Sequence, residues 1–172
     1  MSLRRFLAAS SLIIAPITIL GFGSAAFADT ANSVVVLGGN VASIIAIEAK
    51  ATAAANALTM TSGAQSVRIA DVNITSNNTA GITITASSVN SGVLVSSDNP
   101  ADNINYTVAI VNDGATAPSS GTALGSLSQS ETTGFNTITG VKPMDLYILY
   151  SVPTLPKQGD YADALTITVA DN

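Results

Sequence analysis

The chain has 172 residues, of which 47% are hydrophobic and 10% are charged, and its formal net charge is −5. It contains no cysteine and no histidine, which excludes disulfides, thiolate chemistry and a histidine-dependent catalytic triad. The acidic balance leaves no basic footprint for nucleic acid. We therefore expect neither a nucleic-acid partner nor a cofactor.

The first 28 residues have the features of a cleaved export signal. Two arginines precede an apolar run from Phe6 to Phe22, and the small residues of Ala26-Phe27-Ala28 follow it. The alternative is a membrane-spanning anchor, but Pro16 and two glycines interrupt the run and no basic cluster follows. The sequence therefore predicts a signal peptide over residues 1–28, with cleavage between Ala28 and Asp29.

An uncharged apolar segment, NSVVVLGGNV, follows at Asn32–Val41. Such a strand invites aggregation unless something buries it. In extended conformation its alternation places four residues on one face: Val35, Leu37, Gly39 and Val41. The residues alone leave open whether this face is buried by its own domain or by another molecule.

Beyond the segment, period-2 alternation is common and helical periodicity is scarce, which indicates half-buried strands. A one-residue slip between Ile69 and Val72 predicts a bulge. Turn sequences such as Asn90-Ser91-Gly92 and Asn112-Asp113-Gly114 separate the runs. Seven or eight short strands with this spacing predict an all-β antiparallel sandwich. The clearest runs are 66–75, 80–87, 91–97, 103–114, 145–153 and 163–172.

Two stretches do not follow the alternation. The alanine-rich stretch IEAKATAAANALTM could form a short helix between Glu48 and Ala57. We favour a strand that ends near Ala49 and then a loop, because Thr52 and Asn56 interrupt a weak helix. Residues Ala115–Gly140 are rich in Ser, Thr and Gly, and predict a surface excursion with at most one short strand.

The groups that carry catalysis are sparse. The acidic side chains lie mostly in turns, where Asp98 and Asp102 suggest either a carboxylate pair or a calcium loop, but the spacing does not match such a loop. We expect solvated turns there, no metal and no enzyme. Tyr106 and Tyr150 are in register with aliphatic residues and are predicted to lie in the core, whereas Tyr147 points to the opposite face, against the excursion or a ligand.

Four stretches carry a resemblance to a known family. They are NSVVVLGGNVASIIAIEA, VRIADVNITSNNTAGITITASS, INYTVAIVNDG and LPKQGDYADALTITVADN. In their order, and with the signal and composition, the chain resembles the cysteine-free major subunits of chaperone–usher fimbriae. Related spore-coat-U-like secreted subunits share the last stretch. The polar ending Ala170-Asp171-Asn172 departs from subunits that end on an aromatic residue, which leaves the subfamily open.

The resemblance implies an immunoglobulin-like antiparallel β-sandwich that is incomplete and is completed by a donated strand. A periplasmic chaperone fills the gap first, and the N-terminal extension of the next subunit then replaces it. Residues 29–41 would be that extension, 42–172 the pilin-like domain, and Val35, Leu37, Gly39 and Val41 the side that enters a neighbour. The implied partners are copies of the chain, the chaperone, an outer-membrane usher and a receptor on a surface.

Three functions from different classes follow. The first is a structural subunit of an extracellular fimbria, exported through the periplasm, without catalytic activity. The second is a secreted, self-complete sandwich that keeps Asn32–Val41 as its own edge strand and binds carbohydrate or another surface as a monomer. The third is a hydrolase that depends on Asp98 or Asp102.

Overall fold

The computed structural model describes residues 33–172. The predicted signal peptide, its cleavage site at Ala28 and Asp29, and Asn32 lie outside the described residues. Residues 40–172 form one compact unit, and 33–39 belong to a separate one. No helix in the described range is long and apolar enough to cross a membrane.

Nine strands and one short 3-10 turn make up the regular structure of residues 33–172. In chain order they are β1 (Ile45–Ala51), the 3-10 turn (Ala53–Asn56), β2 (Gly63–Ser76), β3 (Ile82–Ser88), β4 (Val93–Ser96), β5 (Asn103–Asn112), β6 (Ser128–Glu131), β7 (Val141–Val152), β8 (Tyr161–Ala162) and β9 (Leu165–Asp171).

The strands form two antiparallel sheets. The large sheet has the order β1-β2-β7-β5-β4-β8, and the small sheet has the order β6-β3-β9. Every ladder is antiparallel. The chain crosses from the small sheet to the large one at the predicted turn, where Ser91 and Gly92 both have positive φ. The predicted all-β antiparallel sandwich is confirmed.

The core lies between the sheets and is made by the alternate side chains that face inward. Val72 and Ile74 on the large sheet and Ile82 and Ile84 on the small sheet are almost fully buried. Because the side-chain period of a strand is two, a register error of one residue would expose this whole set. The hydrophobic pattern therefore fixes the pairing.

Several local predictions are confirmed. The register of β2 against β7 shifts between Arg68 and Ala70, where the bulge was expected. The strand β1 continues two residues beyond Ala49, and a 3-10 turn follows instead of an α-helix. The excursion contains one short strand, β6.

The start of β7 was not predicted. The strand begins at Val141, before the expected Asp145, and passes through Pro143, which faces Asn73. Proline cannot donate to a ladder, so a proline within a run argues against a central strand. Here the carbonyl of Pro143 accepts a hydrogen bond from the Asp113 backbone N–H at 3.3 Å.

The excursion first crosses the outer face of the large sheet. The Gly114 backbone N–H donates to Asp145 Oδ2 at 3.1 Å, and the Ser66 hydroxyl donates to the Pro118 carbonyl at 2.9 Å. Asp145 is 1% exposed although it points away from the core, and it also accepts a bond from Arg68. Tyr147 lies on this outer face, as predicted, and is buried.

The loops and turns lie at the two ends of the sandwich. The upper end carries residues 42–44, the turn 77–80, the loop 132–140 and Asp171. The lower end carries the turn 89–92 and the loop 153–160. The registers assign them: Ile45 faces Ser76 and Ile82 faces Asp171 at the upper end, whereas Ser88 faces Leu165 and Gly63 faces Val152 at the lower end.

Candidate functional site: a groove between two sheet edges

Two edge strands border the same side of the sandwich. Within the described residues, β1 pairs only with β2, and β9 pairs only with β3. The Ser43 hydroxyl donates to the Asp171 carboxylate at the upper end, and Ala51 and Asp163 line one groove further down. The strands β1 and β9 therefore run antiparallel along this side, and each has an edge without a ladder partner there.

The side chains of β1 face inward but are not covered. Ile47 lies opposite Ile74 and Ala49 opposite Val72, so they share the face that is buried elsewhere in the sheet. Ile47 is nevertheless 37% exposed, whereas Ile74 is 0% exposed. Inward-facing aliphatic residues therefore meet solvent along β1.

The strand β9, on the opposite side of the groove, also has inward-facing residues that are not fully covered. Leu165, Ile167 and Val169 of β9 pack against the core but are only partly buried. Between the two walls lies a groove of about 440 Å³. Core residues of the large sheet form its floor, among them Ala70, Leu94, Leu146 and Ile148.

A polar cluster marks the lower part of the groove. The Tyr106 hydroxyl donates to Asp163 Oδ2 at 2.8 Å, and Asp163 Oδ1 accepts bonds from the backbone N–H groups of Asn90 and Ala164. Burial raises the pKa of Tyr106 to about 12. Burial also acts to raise the pKa of Asp163, but hydrogen bonds from Ser88, Tyr106 and the two backbone groups outweigh it and lower that pKa. The carboxylate therefore stays ionised and fully bonded.

The predicted site residues are exposed. Val35 is 76% exposed, Leu37 is 90% exposed and Val41 is 83% exposed. A Cβ added at Gly39 would meet nothing within 4 Å. Residues 33–44 take part in no strand ladder. Four apolar or small residues thus alternate along a segment that has no ladder partner among residues 33–172.

The chain is held firmly where this segment ends. The Asn77 side chain donates from Nδ2 to the Ala42 carbonyl at 2.8 Å and accepts at Oδ1 from the Ile44 backbone N–H at 2.7 Å. The Ser43 contact with Asp171 adds a third tie. Residues 42–44 are therefore fixed to the upper end.

The other residues that the sequence singled out take part in local hydrogen bonds. The loop with Asp98 and Asp102 closes on itself, because Asn99 Nδ2 donates to Asp102 Oδ2 and Asn99 Oδ1 accepts from Ala101 N–H. No group of three or more acidic residues suited to a metal occurs in the described part of the chain. Tyr106 and Tyr150 are buried as predicted, and the Tyr150 hydroxyl donates to the Thr59 carbonyl.

Sequence reasoning did not find the floor of the groove or the Asn77 clamp. Leu146 and Ile148 read as ordinary core residues, because alternation reports which face a residue is on and not what covers that face. Asn77 read as a turn residue. Comparison with known protein families and with curated proteins found no match for this chain.

Proposed function

We propose that the protein is a structural subunit of an extracellular fibre of the chaperone–usher fimbrial kind, without catalytic activity. Copies polymerise head to tail when the N-terminal segment of one fills the groove of the next. The observation that carries the proposal is the apolar groove between β1 and β9, which residues 33–172 leave uncovered and which borders the edge of β9 that has no ladder partner among those residues.

The segment fits the groove in chemistry and length. Val35, Leu37 and Val41 are apolar and alternate, so one face of an extended segment could replace the solvent over Ile47 and Ile167. The strand β9 has seven residues, and so has the stretch 35–41. Backbone groups along β9 would gain a ladder partner, which is the mode of strand addition.

The donated strand is expected to run antiparallel to β9. All ladders of the described residues are antiparallel, and antiparallel pairing is slightly more stable per residue. In that direction Val35 lies near Asp171 of the acceptor and Val41 near Leu165. The contact is heterologous and does not close, so it produces filaments.

The assembly route is part of the proposal. A chain with an open apolar groove and an exposed apolar segment needs protection before it assembles. A periplasmic chaperone would cover the groove, and an outer-membrane usher would exchange it for the next segment at the cell surface. A surface receptor would then contact the completed fibre.

The substitution Leu37→Asp tests the proposal. The carboxylate would have to enter a neighbour's apolar groove unpaired, or take up a proton. A cost above about 3 kcal/mol would lower the association constant more than about a hundredfold. We expect secreted, folded subunits that form no fibres by electron microscopy, with an unchanged melting temperature of the subunit.

Val36→Asp is the matched control. Residue 36 faces the other side of an extended strand, so this variant should still assemble. Normal fibres from Leu37→Asp would contradict the proposal. A lower melting temperature of the Leu37→Asp subunit would instead favour the self-complete monomer, whose own sheet would contain the segment.

A further inference from the structure

We propose that the loop 153–160 of one copy docks into the cavity at the upper end of the next copy along the fibre. This second contact between copies rests on the proposed strand donation. This contact lies at the ends of the sandwich and outside the groove. Two neighbouring copies would therefore be joined by two contacts, the donated strand and the docked loop.

The link between the donated segment and its own domain is short, which brings the ends of two copies together. Asn77 holds the backbone of Ala42 and Ile44 at the upper end of the donor. Val41 would lie at the lower end of the acceptor's groove, near Leu165. One peptide unit separates Val41 from Ala42, and successive Cα atoms are about 3.8 Å apart. The upper end of the donor must therefore abut the lower end of the acceptor.

A cavity is present at the upper end. It is open to solvent and has a volume of about 520 Å³ between residues 75–79 and the loop 132–140. Its lining combines Ile44, Phe135 and Ile138 with threonine hydroxyls, and Ile138 is 93% exposed. Such a mixture suits an aliphatic side chain flanked by backbone groups better than a charged ligand.

The lower end presents an occupant of that kind. Leu155 is 83% exposed and stands between Pro153 and Pro156. The two prolines restrict the backbone on both sides of Leu155, so little conformational entropy is lost when the leucine binds. The base of the loop is held by the Tyr161 hydroxyl, which donates to the Lys157 carbonyl at 3.0 Å.

The two surfaces cannot meet within one copy. The loop 132–140 precedes β7 and the loop 153–160 follows it. The strand β7 has 12 residues, and a strand rises about 3.3 Å per residue, so its ends are roughly 40 Å apart. The contact therefore needs a second copy.

Because the chain contains no cysteine, introduced cysteines test the contact directly. Full-length protein carrying Leu155→Cys and Ile138→Cys is assembled into fibres and mildly oxidised. A disulfide requires Cα atoms about 4.4–6.8 Å apart. We expect a ladder of covalent oligomers on a non-reducing gel, with loss of most of the monomer band, and its reversal by reductant.

The control pair is Leu155→Cys with Thr85→Cys, because Thr85 is exposed in the middle of β3 and far from both ends. It should leave the monomer band intact. Fibres of the Leu155/Ile138 variant that stay uncross-linked would overturn the end contact and leave strand donation standing. A covalent dimer from Ile138→Cys alone would show like ends meeting and would overturn it too. Absence of fibres from the wild-type chain would instead reject the proposed function.

Discussion

At the scale of residues, the Lys142–Glu131 pair joins the two sheets. Lys142 of β7 is 4% exposed, and its Nζ contacts Glu131 of β6 and donates to the Thr133 carbonyl at 2.7 Å. The ammonium also lies 5.7 Å from the centre of the Phe135 ring. Taking a charge out of water is costly, so the Lys142 ammonium and the Glu131 carboxylate each need the other as a counter-charge.

We predict that Glu131→Gln destabilises the subunit by about 3–5 kcal/mol, because it leaves a buried ammonium without its counter-charge. Replacing both members, Glu131→Leu with Lys142→Met, should be close to neutral or stabilising. Urea unfolding in a Leu37→Asp background, which is expected to keep the subunit monomeric, measures both. Equal losses in the single and double variants would contradict a mutually dependent pair.

The same pair makes stability depend on acid. Burial acts to raise the pKa of Glu131, but hydrogen bonds from Lys142 and Gln129 and the charge of Lys142 lower it overall. A carboxyl whose folded pKa is depressed stabilises fully above its unfolded pKa, about 4.3, and this contribution is lost as the pH falls through the folded pKa. The drop in unfolding free energy below about pH 5 should therefore be smaller in the double variant.

At the scale of elements, the proposed assembly depends on the environment of β9. Its inward residues Leu165, Ile167 and Val169 are only partly buried, and its outer edge has no ladder partner among residues 33–172. An antiparallel neighbour would begin at the upper end, where β9 itself ends at Asp171. A tight turn after Asn172 could therefore deliver a strand to that edge.

We predict that moving the segment makes a stable monomer. A chain that starts at residue 42, extended after Asn172 by an Asn-Gly turn and a copy of residues 34–41, should fold back on β9 as a hairpin in the proposed register. Its melting temperature should exceed that of the same chain without the extension, and light scattering should show the mass of a monomer. An extension carrying Leu37→Asp is the control and should give no rise. If the two extensions behave alike, the groove does not accept the segment.

At the scale of the whole molecule, charge would oppose the proposed association. Removal of the predicted signal peptide, residues 1–28, would leave four basic and eleven acidic side chains, a formal charge of −7 on each copy. Copies that join end to end as proposed would therefore repel one another over about a Debye length, which is about 30 Å at 0.01 M salt and 8 Å at 0.15 M. The apolar contacts must form against this field.

We predict that salt speeds assembly. Purified subunits should elongate faster at 0.15 M than at 0.01 M sodium chloride, because screening reduces repulsion while burial of apolar side chains is little affected. Light scattering over time provides the rate, and sucrose at equal osmolality controls for non-ionic effects. Slower growth at higher salt would mean that attraction between charges drives the contact.

Much of the fold was present in the sequence. Alternation in residues 66–75 and 163–172, the turn at Asn90-Ser91-Gly92 and the slip before Val72 predicted strands, a turn and a bulge that the structure contains. These features are local, because a strand's period and a turn's positive φ depend on neighbouring residues. The start of β7 was not predicted for the same reason, because Pro143, judged from neighbouring residues alone, argues against a central strand.

The sequence by itself thus determined where most of the long strands lie, which of their faces are apolar, and that an uncharged segment precedes the domain. Only the tertiary structure decided that the β1 face meets solvent at Ile47 while its neighbour Ile74 is buried. It also decided that Asn77 fixes residues 42–44 and that Leu155 and Ile138 stand at opposite ends. Burial and the path of a chain are set by pairings between residues far apart in sequence, and alternation along one strand carries no record of what lies across from it.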